Sequence, residues 1–226
     1  MSEPVLLREL TLIRHGESRA NAATGPFNNV MDEQDPLLTD LGLEQADRLG
    51  KYFEKTGEKF DAVYSSGLRR TVQTAAGILR HSENKTLNIM PELCEIGLKP
   101  EYQGQTFEEL SLLWPHMQIA EGVDATTMVV PDELPKEEEY RYFERAGRVL
   151  DYLDERYKNG EKIALVSHAG FLTYIIFHII GYRDMQPIYD FRLSNTGVTR
   201  VLFYEPGTNV YGDMVFDCVN ERCHLS

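Results

Sequence analysis

The chain has 226 residues, of which 42% are hydrophobic and 26% are charged, a composition typical of one globular domain. Its net charge of -13 argues against binding to nucleic acid or to an anionic membrane, because both require basic patches. Three cysteines cannot build a disulfide framework, and together with the lack of a signal-peptide pattern they favour a reducing, cytoplasmic compartment. No apolar run is long enough to span a bilayer. We expect a soluble protein with a single domain over residues 1–226, and its oligomeric state is open.

Strands and helices alternate in the first half of the chain. The apolar residues that follow Thr39 and those that follow Leu68 recur with a period close to 3.6, which predicts two amphipathic helices. Thr39 or Asp40 is the expected N-cap of the first helix. A polar stretch over 21–35 is predicted to be a loop. The predicted elements are a strand at 9–13, a helix from 39, a strand at 61–65, a helix at 68–79 and a strand at 87–90.

The second half contains the strongest predicted helix and a stretch that is harder to assign. Residues 105–135 begin with a helix-like run at 107–114 and continue as irregular chain that contains three prolines. We expect the segment of about 100–136 to be a helical and irregular insert near the functional site, and it is a candidate lid. The remaining predicted elements are a helix at 142–157, a strand at 163–166, a helix at 170–180 and strands at 198–204 and 210–216.

Strands that alternate with helices predict an α/β fold, with three layers (α/β/α) around a mostly parallel central sheet. In such sheets, ligands bind outside the carboxyl ends of the strands. Polar pairs follow three of the predicted strands: Arg14-His15, Ser65-Ser66 and Ser167-His168. We therefore expect these groups, which are distant in sequence, to meet at one edge of the sheet.

Four sequence blocks carry a specific resemblance. The run Arg-His-Gly-Glu-Ser at 14–18, followed by Asn21, resembles the signature of the histidine phosphatase superfamily, also called the phosphoglycerate mutase-like family. Residues 64–75, 91–96 and 165–170 resemble the family's second block, its acid-bearing segment and its second-histidine block, in the family's order. The resemblance covers nearly the whole chain and favours the phosphatase branch.

The resemblance implies a role for each matching residue. His15 is the expected nucleophile, which forms a phosphohistidine, and Glu95 is the expected general acid and base. Arg14, Arg70 and His168 are expected to hold the phosphate. These residue types fit the chemistry, because a neutral imidazole is a competent nucleophile and a guanidinium group binds phosphate with two N–H groups at once. Further phosphate- or substrate-binding groups are expected at Asn21, Ser66, Glu17 and the backbone N–H of Ala169.

Neither a metal ion nor an organic cofactor is expected, because arginines and histidines supply the positive charge that magnesium supplies in other phosphoryl-transfer enzymes. Taken one at a time, each of the five main residues also has an ordinary structural explanation: a polar strand end, a solvated helix face, a surface acid or a core histidine. Their joint occurrence in the family's order favours the catalytic interpretation.

Other functions stay open. The family also contains cofactor-dependent phosphoglycerate mutases and sugar bisphosphatases, and a non-catalytic interaction module on the same fold is a further alternative. Mutases of this type usually carry a tryptophan where this chain has Ala20, and an Arg-His-Tyr-like stretch where Glu95 is followed by Ile96-Gly97-Leu98. These departures favour a phosphatase, acting on a small metabolite or on a phosphoprotein.

The insert also bears on the substrate. Between Lys99 and Lys136 there is no lysine or arginine, whereas seven residues are acidic. An insert of this charge over the pocket would repel a second anionic group, so we expect a small metabolite with a single phosphate. The insert's apolar residues are candidates for contact with an apolar leaving group, or for a small core of the insert itself: Trp114, Met117, Ile119, Met128 and Val129.

Overall fold

The computed structural model describes residues 3–23, 35–98, 102, 104–123, 138–182 and 191–226. The strands in these residues are β1 (Leu6–Arg14), β2 (Ala62–Ser65), β3 (Leu87–Ile89), β4 (Met117–Ile119), β5 (Glu161–Ser167), β6 (Val198–Tyr204) and β7 (Met214–Glu221). The α-helices are α1 (Arg19–Ala22), α2 (Asp40–Thr56), α3 (Arg69–Leu79), α4 (Phe107–Ser111), α5 (Glu139–Arg156) and α6 (Ala169–Ile179).

Within the described part of the chain, the seven strands form one sheet in the order β4-β3-β2-β5-β1-β6-β7. The first five strands of this order pair in parallel. β6 is antiparallel to β1, and β7 is antiparallel to β6. The predicted α/β fold with a mostly parallel sheet is therefore confirmed.

Apolar side chains of the central strands alternate between the two faces of the sheet. Leu10 and Leu12 of β1 belong to a core cluster with residues of α5 and α6. Ile13 of the same strand belongs to a second cluster, with residues of α2 and α3. Because helices cover both faces, the central strands are buried on both sides, as their nearly continuous apolar sequence requires. The three-layer arrangement is confirmed.

Two helices begin at the carboxyl edge of the sheet, where the site is expected. α3 begins at Arg69 shortly after β2, and α6 begins at Ala169 directly after β5. The first N–H groups of each helix have no partner inside the helix, so acceptors at this edge can bind them. Thr39 is the N-cap of α2, because its Oγ1 accepts a hydrogen bond from the N–H of Gly42 at 3.1 Å. This settles the choice between Thr39 and Asp40.

The described part of the insert packs against the domain core. Residues 104–123 include α4 and β4, and β4 extends the sheet beyond β3. Trp114 and Met117 belong to the core cluster beneath α2 and α3, and Ile119 packs against it. Of the two alternatives, these three residues follow the packing one, although they join the core of the domain instead of forming a separate core of the insert. Met128 and Val129 lie outside the described residues.

The last strand and the first loop differ from their predictions. β7 spans Met214–Glu221 instead of 210–216, and the two apolar residues before it, Val210 and Tyr211, are exposed in a turn. The start of the predicted loop at 21–35 belongs to α1, because Ser18 and Asn21 form a capping box there. In the residues described, no helix has the length and apolar character that crossing a membrane demands.

Candidate active site

Two parallel strands bring the two predicted histidines together. β1 and β5 pair in a register that places Arg14 opposite Ser167, and the N–H of His15 donates to the carbonyl oxygen of Ser167 at 2.9 Å. The next residue on each strand is a histidine at the same edge of the sheet. The ring centroids of His15 and His168 lie 5.2 Å apart. The sheet therefore assembles these two blocks as the sequence pattern indicates.

The ring of His15 is oriented by its own backbone neighbourhood. Its Nδ1 lies 2.7 Å from the carbonyl oxygen of Gly16. Because a carbonyl oxygen only accepts, Nδ1 carries the proton and Nε2 keeps its lone pair. Burial lowers the pKa of His15 well below its usual range, and the charges of Arg70 and Arg14 lower it further, against the raising effect of the bond to Gly16. The result is a neutral imidazole with an unprotonated Nε2.

Arg14, the last residue of β1, is held by the turn that precedes β6. Its Nη1 donates to the carbonyl oxygen of Leu193 at 2.7 Å, whereas its Nε is buried without a partner among the described residues. Burial lowers the pKa of Arg14, the charge of Glu95 raises it, and the charge of Arg70 lowers it. A buried N–H of a cation is costly to leave unpaired, and a bound anion would satisfy it.

The same turn supports the backbone of His15. Nδ2 of Asn195 donates to the carbonyl oxygen of His15 at 3.0 Å and to Oδ1 of Asn21 at 3.1 Å. Thr196, with a φ of 53°, donates its N–H to the carbonyl oxygen of Arg14 at 3.0 Å. Neither Asn195 nor Thr196 was predicted from the sequence to support the site. The only signal for them was a run of Asn, Thr and Gly before β6, which favours a turn but indicates no chemistry.

Arg70, in the first turn of α3, is paired with Asp35. Nη1 of Arg70 lies 3.6 Å from Oδ1 of Asp35, which is 3% exposed. The two oxygens of Asp35 also accept the backbone N–H of Arg69, at 3.1 and 3.0 Å. Burial raises the pKa of Asp35, whereas that N–H and the two guanidinium groups lower it. Asp35 thereby fixes Arg70 at the start of α3, a role that the sequence analysis did not assign.

A chain of hydroxyl groups orients His168. Oγ of Ser66 lies 2.9 Å from Nε2 of His168 and 2.7 Å from Oγ1 of Thr71, and Thr71 donates to the carbonyl oxygen of Leu68 at 2.7 Å. Because Thr71 uses its proton there, Ser66 donates to Thr71 and accepts from Nε2 of His168. Nδ1 of His168 is then unprotonated, and it is buried without a partner in the described chain. Burial and the charge of Arg70 lower the pKa of His168 well below its usual range.

Glu95 is held where α6 begins. Its Oε1 accepts the backbone N–H of Ile96 at 3.0 Å and that of Phe171 at 3.1 Å. Gly170 makes this approach possible, because a Cβ atom there would come within 2.7 Å of Oε1. Ala169 is the first residue of α6, so its backbone N–H lies at the positive end of the helix dipole, which favours an anion.

Asn21 and Glu17 lie in the turn after β1 and have structural partners. Oδ1 of Asn21 accepts the backbone N–H of Ser18 at 3.2 Å, which closes the capping box of α1. Oε1 of Glu17 accepts the hydroxyl of Thr39 at 2.8 Å. This hydrogen bond joins the turn after β1 to the N-cap of α2. A direct substrate contact of Glu17 remains a prediction. A direct phosphate contact of Asn21 remains a prediction.

Arg145 of α5 is completely buried although it is charged. It lies three residues after Tyr142 and four before Val149, on the apolar face of the helix. This residue was not predicted from the sequence to support the site. The sequence does contain a signal for it, because an arginine stands at a core position of an amphipathic helix pattern. Its contacts are described below.

The positive charge of the site comes from Arg14 and Arg70. The described residues contain no group of three or more histidine, cysteine, aspartate or glutamate side chains that could hold a metal ion, at this site or elsewhere.

Comparison with known proteins agrees with this geometry. The sequence profile of the histidine phosphatase superfamily (branch 1) matches residues 10–212, and the chain therefore belongs to this superfamily. It is 29% identical over 202 residues to a broad-specificity phosphatase of Saccharomyces cerevisiae, covering 85% of this chain and 78% of that protein. It is 35% identical over 114 residues to a 2,3-bisphosphoglycerate-dependent phosphoglycerate mutase of Bartonella henselae. That match covers 50% of this chain and 53% of the mutase.

A solved structure shares the fold. The phosphoserine phosphatase of Entamoeba histolytica, crystallised with 3-phosphoglyceric acid, superposes with a TM-score of 0.62. The two chains are 24% identical, and the superposition covers 97% of this chain and 100% of the other.

Proposed function

We propose that the protein is a phosphomonoester hydrolase that carries the phosphoryl group on Nε2 of His15. The observation that carries the proposal is the fixed tautomer of His15: a buried, neutral ring whose Nδ1 is bound to the carbonyl of Gly16, so that Nε2 is unprotonated. Such a ring can attack phosphorus without first losing a proton.

Three cationic or potentially cationic groups surround this nitrogen and suit the nonbridging phosphate oxygens. Arg14 is held by Leu193 and leaves its buried Nε unpaired among the described residues, and Arg70 is fixed by Asp35. His168 turns Nδ1, its nitrogen without a described partner, away from Ser66. Phosphoryl transfer depends mainly on such positioning and charge neutralisation, which is what these groups supply.

Glu95 is the proposed general acid and base. Among the described residues, the two backbone hydrogen bonds of Glu95 go to Oε1, and we assign the transferred proton to Oε2. In the first step, Nε2 of His15 bonds to phosphorus, the ester P–O bond breaks, and the leaving oxygen takes the proton of Glu95. In the second step, water attacks phosphorus, gives its proton to Glu95, and the N–P bond breaks, which releases phosphate.

The reaction is proposed to proceed without a metal ion, because Arg14 and Arg70 neutralise the charge that a divalent cation would neutralise. Hydrolysis that is unchanged in excess EDTA would support this, and loss of activity that magnesium restores would contradict it.

The three cysteines are unpaired thiols, which agrees with the expected reducing, cytoplasmic compartment.

The proposed substrate is a small metabolite with one phosphate. Support comes from the absence of lysine and arginine between Lys99 and Lys136, and from relatives that are named as phosphatases. In the proposed reaction, Arg14 and Arg70 both bind the same phosphoryl group. Turnover of 2,3-bisphosphoglycerate or fructose 2,6-bisphosphate at a rate comparable with monophosphates would contradict this preference.

A mutase is the second candidate, and the similarity to the Bartonella henselae enzyme favours it. Ala20 and the stretch Ile96-Gly97-Leu98 count against it, as the motif comparison indicated. Formation of 2-phosphoglycerate from 3-phosphoglycerate, with 2,3-bisphosphoglycerate supplied, would establish the mutase. Release of inorganic phosphate instead would favour the phosphatase. Since all five core residues are present, we rank a non-catalytic module last.

The decisive experiment compares hydrolysis of an aryl phosphate by the wild type, His15→Ala and His116→Ala, with EDTA present. We expect His15→Ala to lose at least about 10³-fold in kcat/KM. His116 is exposed, so its variant should keep wild-type activity and serves as the matched control. Full activity in His15→Ala would overturn the proposal.

A further inference from the structure

The guanidinium group of Arg145 joins α5 to the segment that precedes Glu95. Arg145 is 0% exposed. Its Nη1 donates to the carbonyl oxygen of Glu92 at 2.6 Å and to that of Cys94 at 2.7 Å. The carbonyl of Cys94 belongs to the same peptide unit as the nitrogen of Glu95. This bond therefore restricts the orientation of the peptide unit that precedes Glu95, and with it the direction of the Glu95 side chain.

The same guanidinium group also contacts α6. Its central carbon lies 4.0 Å from the ring centroid of Phe171. The backbone N–H of Phe171 is one of the two donors to Oε1 of Glu95, at 3.1 Å. Arg145 thus touches both structures that determine where the carboxylate lies: the peptide that carries it and the helix turn that binds it.

A second side chain completes this support. The hydroxyl of Ser167, at the end of β5, donates to the carbonyl oxygen of Leu93 at 2.7 Å. The carbonyls of three consecutive residues, 92 to 94, are therefore all held by buried side chains of α5 and β5. Such a set of bonds makes the short 3-10 helix Pro91–Leu93, and the residue after it, rigid immediately before the acid.

We propose that Arg145 is a positioning residue that sets the placement of Glu95 as the general acid. The inference rests on the proposed function, because it concerns the acid of that reaction. A displacement of about 1 Å in a catalytic group can cost about 100-fold in rate. A lysine in place of Arg145 keeps the charge but lacks the planar guanidinium group, which stacks on the ring of Phe171 while its Nη1 donates to two carbonyls.

The test uses two phosphate esters that differ in their need for an acid. An alkyl phosphate has a poor leaving group that must be protonated, whereas 2,4-dinitrophenyl phosphate leaves without a proton. The ratio of the two kcat/KM values reports the acid step, and it does not depend on the concentration of folded enzyme. We would measure it for the wild type, Glu95→Gln, Arg145→Met, Arg145→Lys and the control Arg148→Met.

Arg148 is a matched control because it lies one turn further along α5 and binds the same segment from outside. Its Nε donates to Oε1 of Glu92 at 2.9 Å, and its side chain is 54% exposed. Removing it deletes an arginine contact to the segment without touching the carbonyls. We expect Arg148→Met to leave both kcat/KM values within about 2-fold of the wild type.

For Arg145→Met, we expect a fall of about 100-fold with the alkyl phosphate and less than about 3-fold with the dinitrophenyl ester. Arg145→Lys should show the same selectivity, because charge alone does not restore the placement. If Arg145→Met is insoluble, the ratio for Arg145→Lys decides. Equal losses on both esters, or full rescue by lysine, would overturn the inference. Two other results would contradict the proposed function itself. One is full activity in His15→Ala, and the other is an equal loss of kcat/KM on both esters in Glu95→Gln.

Discussion

Gly170 lies so close to Glu95 that a Cβ atom on Gly170 would come within 2.7 Å of the carboxylate oxygen Oε1. The same atom would lie 2.7 Å from Cγ1 of Ile96. Replacing glycine by alanine inside a helix normally stabilises it by about 1 kcal/mol. Here the methyl group must push the acid away. We expect Gly170→Ala to lower kcat/KM for an alkyl phosphate about 100-fold, with little change in the thermal midpoint.

A double-variant cycle checks this interpretation. If the loss acts through Glu95, then Gly170→Ala should cause no further loss in a Glu95→Gln background. Additive losses would mean that Gly170 serves some other purpose, such as the packing of α6 against the sheet.

Burial and the charge of Arg70 favour the neutral form of His168, and a bound anion should favour the protonated form. A negative charge beside the ring stabilises the imidazolium and therefore raises the pKa of His168. We expect sulfate binding near pH 7 to take up about one proton. Sulfate does not titrate in this range, so the uptake can be measured by calorimetry in buffers of different ionisation enthalpy.

His168→Asn is the control for this measurement, because asparagine still offers Ser66 a hydrogen-bond partner but binds no proton. Binding without proton uptake in the wild type would contradict the prediction. Equal uptake in the wild type and in His168→Asn would assign the proton to a group other than His168.

A third histidine connects stability to pH. Nε2 of His224 lies 2.8 Å from Oγ1 of Thr196. Burial lowers the pKa of His224 from 6.5 to about 4; Glu221 raises it in part and Arg48 lowers it. Between these values the unfolded chain binds more protons than the folded one. The free energy of unfolding therefore falls as the pH falls, by up to about 1.4 kcal/mol per pH unit for this group.

Urea unfolding at several pH values between 6.5 and 4 measures this slope. We expect His224→Asn to reduce the slope of the free energy of unfolding against pH. Loss of the hydrogen bond to Thr196 lowers that free energy by an amount that does not depend on pH, so it leaves the slope unaffected. His116→Asn, at an exposed position, should leave the slope unchanged. An identical slope in the wild type and in His224→Asn would mean that other groups produce the pH dependence.

The sequence predicted the parts of the site that depend on strand ends. His15, Ser66 and His168 each follow a strand that is long or apolar enough to be recognised, and parallel pairing then brings them together. The five-strand parallel region follows from the alternation of elements in the same way. These features are repetitive patterns of side chains, which a single sequence displays directly.

The parts that the sequence did not predict depend on contacts to backbone atoms, on a very short strand and on the conformation of one glycine. Asn195 acts on the carbonyl of His15, and no side-chain pattern marks a carbonyl oxygen. β4 has only three residues after a proline, too few to show a period. Val210 and Tyr211 look like a strand but occupy an exposed turn, because Gly212 nearby adopts a φ of 116°.

The position of β1 in the sheet has a consequence for the order in which the protein is made. β1 carries His15 and is synthesised first, yet both strands beside it, β5 and β6, come from the last third of the sequence. During translation, His15, the proposed nucleophile, therefore lacks both neighbouring strands until most of the chain has been made. A polypeptide that stops before β6 would possess Arg14 and His15 but neither the turn nor the strand that orients them. We therefore expect the site to form only after β6 has been synthesised, and we expect truncated chains that end before β6 to lack phosphatase activity.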